Sequence, residues 1–253
     1  MRTYTTLVIN PKGGSGKTTL ATNLVAYFAA ARIPTALMDY DPQGSSLNWL
    51  RQRPTDLPRI HGANAAPPKP GRMRSLDMRI PEDTRQLVID APAGASGLLL
   101  QELLARTHCI LIPVAPSPID IHATANFIRD LLLAGRIRTA NIRLAVVANR
   151  VRKNTPVYQP LERFLASLNL PLLARLGDSE AYVSAAEMGV GIFEMEFAAT
   201  AAERQQFAPI AEWVDTRTLI VESKAPAAVP FAASLSVPGR APLRIISKGF
   251  SPT

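Results

Sequence analysis

Two lysines, three glycines and two threonines are concentrated in residues 11–19, Pro-Lys-Gly-Gly-Ser-Gly-Lys-Thr-Thr. A run rich in β-branched residues precedes this stretch at residues 4–9, and a helical pattern with one apolar face follows it. A strand, a glycine-rich turn and a helix N-terminus form a phosphate cradle, because backbone N–H groups point inward and the helix dipole adds positive charge. In such a cradle Lys17 reaches the β- and γ-phosphates and the Thr18 hydroxyl ligates Mg²⁺. The alternative is a plain glycine-rich turn between two packed elements.

The loop departs from the strict phosphate-binding pattern G-x-x-x-x-G-K-[ST], because Pro11 replaces its first glycine and Lys12 adds a second lysine. The run Lys-Gly-Gly-x-Gly-Lys-Thr-Thr resembles the deviant Walker A motif of the ParA/MinD family of ATPases. In that family the extra lysine reaches across a nucleotide-sandwich dimer to the partner's phosphates, and Lys12 matches it. The resemblance implies that Lys12 and Lys17 act in catalysis. It also implies that ATP is held by Lys12, Gly13, Gly14, Ser15, Gly16, Lys17, Thr18 and Thr19.

Two carboxylates follow a short apolar run at residues 35–38, in the sequence Asp-Tyr-Asp-Pro-Gln-Gly of residues 39–44. Carboxylates just past the end of a strand lie on the side where open α/β sheets bind ligands. The stretch also resembles the Asp-x-Asp-Pro-Gln-Gly end of the second strand in the ParA/MinD family. That resemblance implies that Asp41 orients or activates the attacking water and that Asp39 supports the Mg²⁺ shell. The alternative is an acidic turn broken by Asp-Pro.

A third aspartate, Asp90, ends the apolar run at residues 86–89. An apolar strand that ends in aspartate is the Walker B arrangement, in which Asp90 holds Mg²⁺ through water as the acidic partner of Thr18. The family pattern here is Asp-x-Pro-Pro, and this chain has Ala93 where the second proline is common. The Gly-Ala-Ser-Gly stretch at residues 94–97 predicts a switch segment that moves on hydrolysis.

An asparagine, Asn149, follows a predicted strand at residues 141–148. In the ParA/MinD family an asparagine at the end of this strand reads the adenine ring through its amide. The resemblance therefore implies that Asn149 contacts the base of the nucleotide.

Strand and helix patterns alternate along the chain up to a last helical pattern near residues 199–214. This alternation predicts an α/β fold of the P-loop NTPase type, which is a doubly wound, mostly parallel sheet with helices on both faces. Residues 54–75 are rich in Pro, Gly, Ala and Arg and are predicted to be a surface loop. We predict an ATPase domain at residues 1–215 and a flexible, basic, Pro/Ala-rich tail at residues 216–253.

Cys109, the single cysteine of the 253 residues, lies in an apolar run and is predicted to be a buried strand residue. One cysteine excludes a disulfide within the chain and fits a cytoplasmic setting. Neither His108 nor His122 has a partner at metal-ligand spacing, so we interpret both as structural. The first strand begins at once, so we expect no signal peptide, and no apolar run approaches the ~20 residues of a membrane span.

The chain carries a formal net charge of +8 and has a pI of about 10.1, which favours a polyanionic partner. ParA-like members of the family bind non-specific double-stranded DNA as ATP-dependent homodimers. The resemblance implies the same here, for a cytoplasmic, nucleoid-associated protein whose slow hydrolysis is stimulated by a ParB-like or McdB-like adaptor. Ordinary surface charge is the alternative for each candidate DNA contact. The candidates are Arg152, Lys153, Arg175, Arg204 and Arg217.

The cargo of such an ATPase is a plasmid, a chromosome or a protein body. The Asp-Pro-Gln-Gly-Ser-Ser stretch with Trp49 is similar to the McdA branch of the family, which positions carboxysomes. Two other function classes stay open. A MinD/FlhG-like regulator would bind a membrane through a C-terminal amphipathic helix, which the prolines of the tail argue against. An ATP-dependent small-molecule ligase of the same fold would not need Lys12.

Overall fold

The computed structural model describes residues 3–67, 74–133, 141–152 and 155–215, and the predicted tail lies outside them. The strands in these ranges are β1 (Tyr4–Val8), β2 (Thr35–Asp39), β3 (His61–Asn64), β4 (Gln86–Asp90), β5 (Cys109–Val114), β6 (Arg143–Val151) and β7 (Leu172–Gly177). They form one sheet in the order β3-β2-β4-β1-β5-β6-β7, and every neighbouring pair is parallel. The predicted α/β fold with a parallel sheet is confirmed.

The strands are connected largely by helices, as a parallel sheet requires. The described helices are α1 (Lys17–Ala30), α2 (Ser45–Gln52), α3 (Arg74–Asp77), α4 (Gly97–Ala105), α5 (Pro118–Leu133), α6 (Tyr158–Ser167), α7 (Glu180–Met188) and α8 (Phe197–Val214), with a 3₁₀ turn at Ile192–Glu194. None of the described helices combines the length and the apolar character that crossing a bilayer requires.

Helices cover both faces of the sheet, because successive strand residues point to opposite sides. Leu7 of β1 and Ile110 of β5 join a core that includes residues of α4, α5 and α6. Their neighbours Val8 and Leu111 join a second core that includes residues of α1, α2, α7 and α8. Both sides of the central strands are therefore buried, while their carboxyl ends open onto the loops that carry the predicted site.

Strand β3 corrects the sequence-based prediction of a surface loop at residues 54–75. It pairs with the outer edge of β2, from Ala36 opposite His61 to Asp39 opposite Asn64. Its sequence, His-Gly-Ala-Asn, has no β-branched residue and therefore no strand signal. The strand forms because the edge of β2 offers backbone N–H and C=O groups that need partners, and Ala63 is buried in the process.

Cys109 is the first residue of β5, and its predicted burial is confirmed. The residue is fully buried, and its sulfur lies 3.3 Å from Thr6 Oγ1. Burial raises the pKa of the Cys109 thiol to about 11, so the group is a neutral packing residue. His108 accepts a hydrogen bond from the Thr5 N–H at 3.0 Å through Nδ1 and stacks on Tyr4, which agrees with its interpretation as structural.

A buried ion pair that sequence reasoning missed joins the end of α2 to the 3₁₀ turn. The Arg53 guanidinium donates to both carboxylate oxygens of Glu194, one of them at 2.8 Å, and the two side chains are only 5% and 3% exposed. Arg53 also donates to Pro58 O, and Glu194 accepts from the Gly191 N–H at 2.9 Å. Both charges thus have further partners, which is the condition under which a buried ion pair is tolerated.

Replacing Glu194 with Gln should lower the free energy of unfolding by about 3 kcal/mol, because Arg53 would keep a buried charge without its counter-charge. Urea unfolding would show this as a lower midpoint at an unchanged slope. The matched control is Glu196→Gln, at an exposed position two residues further on. The control should change stability by less than about 0.5 kcal/mol, and equal midpoints for the two variants would contradict the role of the pair.

Candidate functional site

The loop at residues 9–16 connects the carboxyl end of β1 to α1. Gly14 and Gly16 have φ angles of +77° and +93°, which residues with side chains rarely adopt. Gly16 is constrained a second time, because a Cβ there would lie 1.8 Å from Asn149 Nδ2. The loop therefore delivers the first N–H groups of α1 to the carboxyl edge of the sheet, which is the geometry of a phosphate cradle.

Asn10 anchors this loop, and sequence reasoning missed it. The side chain is fully buried, and Nδ2 donates to Pro113 O at 2.8 Å and to Thr124 Oγ1 at 2.9 Å. Its Oδ1 accepts from the Lys12 N–H at 2.8 Å. The position of an asparagine between a strand and a turn could have indicated this role. At such a position the side-chain oxygen can accept a hydrogen bond from the backbone N–H of the residue two positions later. Asn10 thus ties the position of Lys12 to β5 and α5.

The two predicted lysines meet at the loop. Lys17 Nζ donates to Lys12 O at 2.8 Å, and Lys17 is buried while Lys12 is half-buried. Burial lowers the pKa of the Lys17 ammonium, and the charges of Asp90 and Asp41 oppose this shift. The Lys17 side chain therefore contacts the loop and lies within electrostatic reach of two of the predicted carboxylates.

Asp39 and Asp90 lie opposite each other in the register of β2 and β4. Asp39 is fully buried, and its Oδ1 accepts from the Asp41 N–H at 2.9 Å. Its Oδ2 accepts from the N–H groups of Ser46 and Leu47 at 3.1 and 3.2 Å. These bonds shape the turn after β2 and hold the first turn of α2, a use that sequence reasoning missed. The support of a Mg²⁺ shell by Asp39 stays a prediction.

The two predicted Mg²⁺ ligands are brought together, because Thr18 Oγ1 donates to Asp90 Oδ2 at 2.8 Å. Burial, reinforced by the charge of Asp39, raises the pKa of Asp90 to about 7, against the effects of Thr18 and Lys17. The other oxygen, Asp90 Oδ1, is buried and has no hydrogen-bond partner among the described residues. A hydroxyl and a carboxylate oxygen with free acceptor capacity suit a hard cation, so these residues fit Mg²⁺.

Asp41 stands at the turn between β2 and α2. Its Oδ1 accepts from the Gln43 N–H at 2.9 Å, and its carbonyl accepts from the Gly44 N–H at 2.9 Å. The side chain is half-buried, and its charge acts on Lys17. Asp41 is thus held within electrostatic reach of the cradle, and its action on an attacking water stays a prediction.

Asn149 lies inside β6, because this strand continues to Val151 instead of ending at residue 148 as predicted. The register shifts between Ala148 and Val151, and Arg150 has a φ of +54°. Such irregularities re-aim side chains at the ends of strands. Asn149 Nδ2 donates to Ser15 O at 2.9 Å, so the asparagine packs against the phosphate cradle.

A pocket of about 250 Å³ lies beside the cradle, and its lining includes Thr19, Asn149, Asp178 and Tyr182. The Tyr182 hydroxyl is buried without a hydrogen-bond partner among the described residues, which leaves it able to bind a ligand group. Sequence reasoning missed Tyr182, since a tyrosine on a helix carries no motif. The contact of Asn149 with adenine stays a prediction.

Two of the candidate DNA contacts are exposed arginines in ion pairs. Arg152 Nε donates to Asp178 Oδ2 at 2.7 Å, and Arg175 donates to both oxygens of Glu162 at 2.7 and 2.8 Å. Exposed pairs of this kind contribute little to stability, so either arginine can exchange its partner for a phosphate at small cost. Their contact with DNA stays a prediction.

Arg204, another candidate DNA contact, donates hydrogen bonds within its own fold. Its Nε donates to Ile192 O at 3.1 Å and to Thr200 Oγ1 at 2.9 Å, and Nη2 donates to Met195 O. These three hydrogen bonds give the Arg204 guanidinium a structural use, and its contact with DNA stays a prediction. The remaining two candidates lie outside the described residues: Lys153 and Arg217.

The parallel sheet, the glycine-rich loop before α1 and the threonine–aspartate pair define a P-loop nucleotide-binding protein. A family model described as the CobQ/CobB/MinD/ParA nucleotide binding domain matches residues 6–192. The chain belongs to this family, which confirms the resemblance read from the motifs.

Several relatives bear names that refer to positioning. Maintenance of carboxysome distribution protein A from Halothiobacillus neapolitanus is 27% identical over 199 residues, which are 77% of this chain and 88% of that protein. The protein of the same name from Gloeobacter kilaueensis is 32% identical over 120 residues, 45% of this chain and 50% of that protein.

Solved structures of the same family superimpose on this chain. Apo McdA from Cyanothece has a TM-score of 0.64 at 15% identity and covers 85% of this chain and 100% of its own. MinD from Pyrococcus horikoshii, complexed with Mg-ADP, has a TM-score of 0.62 at 16% identity and covers 87% of this chain and 98% of its own. At these identities the similarity shows the fold.

Replacing Asn10 with Ala should lower the free energy of unfolding by about 2 kcal/mol, because buried groups on β5 and α5 would lose a hydrogen-bond partner. Urea unfolding monitored by circular dichroism measures the change. Asn126→Ala, at an exposed position of α5, is the matched control and should leave the midpoint where it is. A wild-type midpoint for the Asn10 variant would show that the loop does not depend on this anchor.

Proposed function

We propose that this chain is a Mg²⁺-dependent ATPase of the ParA type, whose ATP-bound homodimer binds non-specific double-stranded DNA. The observation that carries the proposal is the way Lys12 is held. Its N–H is bound by Asn10 and its carbonyl by Lys17, while its side chain is half-buried beside two exposed glycines. A lysine with a pinned backbone at the mouth of the cradle is suited to reach the phosphates bound by a second copy.

The chemistry of hydrolysis would come from positioning and charge. Lys17 and the N–H groups of the loop bind the β- and γ-phosphates, and Asn149 holds the base. Asp41 orients the attacking water. Bound Mg²⁺, held by Thr18 and by Asp90 through water, would neutralise charge on the phosphates. The protein needs a partner to hydrolyse ATP quickly, so the ATP state persists long enough to act as a signal.

The net charge of +8 supports DNA as the surface to which the dimer binds. A nucleoid-bound dimer in the cytoplasm would be released when an adaptor of the ParB or McdB kind stimulates hydrolysis. The similarity to the Halothiobacillus protein over 77% of this chain supports a protein body such as a carboxysome as the cargo.

DNA binding across nucleotide states and salt concentrations tests the proposal. Binding to a random duplex should require ATP, since only the dimer presents two basic surfaces. Affinity should fall by about 10³-fold or more between 50 and 200 mM salt if six or more phosphates are contacted. Lys12→Ala should abolish the ATP-dependent binding, and Asp41→Ala should prolong it because the ATP is not hydrolysed.

The matched control for Lys12→Ala is Arg129→Ala, which removes one positive charge from an exposed position of α5. This variant should dimerise and bind DNA as the wild type does. An ATP-dependent dimer that binds anionic vesicles and no DNA would favour a MinD/FlhG-like regulator instead. ATP consumption that survives Lys12→Ala and depends on an added small acid or amine would favour a ligase.

A further inference from the structure

Two buried polar atoms without a hydrogen-bond partner lie at the centre of the site. They are Ser46 Oγ, on the first turn of α2, and Asp90 Oδ1, at the end of β4. Ser46 is fully buried, whereas its neighbour Ser45 is exposed. Folded proteins pair nearly all of their buried polar atoms with protein groups, water or ions. Two such atoms in one place therefore indicate that a ligand group binds between them.

The backbone holds Ser46 beside Asp90. The Ser46 N–H donates to Asp39 Oδ2 at 3.1 Å, and Asp39 lies opposite Asp90 in the register of the two strands. The middle of α2 is held as well, because Trp49 Nε1 donates to Val190 O at 3.2 Å. The backbone position of Ser46 is thus set by contacts of α2 with β2 and with Val190, shortly before the 3₁₀ turn.

We propose that Ser46 is a positioning residue of the cation site, whose hydroxyl and Asp90 Oδ1 together bind one water of the hydrated divalent ion. Mg²⁺ keeps several waters in nucleotide sites, and such waters need protein acceptors and donors around them. A serine hydroxyl supplies one donor and two acceptor lone pairs, which suits a water shared with a carboxylate. This inference rests on the proposed function, since it assumes that the cradle takes a nucleotide with a divalent cation.

Mn²⁺ affinity in the presence of ADP tests the role of Ser46. Electron paramagnetic resonance of free Mn²⁺ measures this affinity in the full-length protein. Ser46→Ala should weaken Mn²⁺ binding by roughly tenfold, as is typical when a group around a metal's ligands is removed. ADP affinity in EDTA should stay at the wild-type value, because the phosphate cradle is unchanged. Ser45→Ala, one residue earlier and exposed, is the matched control and should behave as the wild type in both assays.

The outcomes separate this inference from the proposed function. Wild-type Mn²⁺ affinity in Ser46→Ala would overturn the role of Ser46 while leaving the ATPase proposal intact. A parallel loss of ADP affinity in EDTA would also overturn it, because that pattern marks a purely structural serine. Ser46→Cys, which keeps the shape and weakens the hydrogen bond, should repeat the alanine result. Failure of the wild-type protein to bind ADP with Mn²⁺ would overturn both proposals.

Discussion

Two aspartates buried side by side at the carboxyl ends of neighbouring strands impose the constraint on which the site depends. Asp39 is stabilised by three backbone N–H groups, which come from the turn after β2 and from the first turn of α2. Asp90 receives a hydroxyl donor from Thr18 and the charge of Lys17, yet burial still raises its pKa to about 7. The two carboxylates are therefore not equivalent, since one organises the fold and the other retains acceptor capacity for a ligand.

Helix α2 links this acidic pair to the opposite side of the site. Its first turn is bound to Asp39, and just beyond its last turn Arg53 is bound to Glu194 beside the 3₁₀ turn. Gly189 lies against the same end, where a Cβ would stand 2.5 Å from the Arg53 nitrogen. Contacts near both ends therefore fix α2 to β2 and to the 3₁₀ turn.

The motifs of the site could be predicted from the sequence because each is a short run of residues in a fixed order. A glycine-rich turn, an Asp-x-Asp turn and a strand ending in Asp90 each require particular residue types at fixed spacing. Parallel strands then bring their carboxyl ends to one edge, so the meeting of Lys17, Thr18 and Asp90 followed from the predicted fold. Strand β3 was missed because its pairing is set by the free edge of β2 and not by its own residues.

The sequence by itself determined the family, the parallel α/β sheet and the identity of the phosphate-binding loop, since local spacing encodes all three. Tertiary structure alone decided how the remaining side chains are used. Asn10 binds Thr124 and Arg53 binds Glu194, and each partner lies more than 100 residues away along the chain. No local sequence pattern indicates such long-range contacts. Arg204 carries the same charge as Arg175, yet only packing shows that Arg204 binds backbone carbonyls of its own fold and Arg175 binds the half-buried Glu162. Long-range hydrogen bonds and burial, which depend on the folded chain, make that distinction.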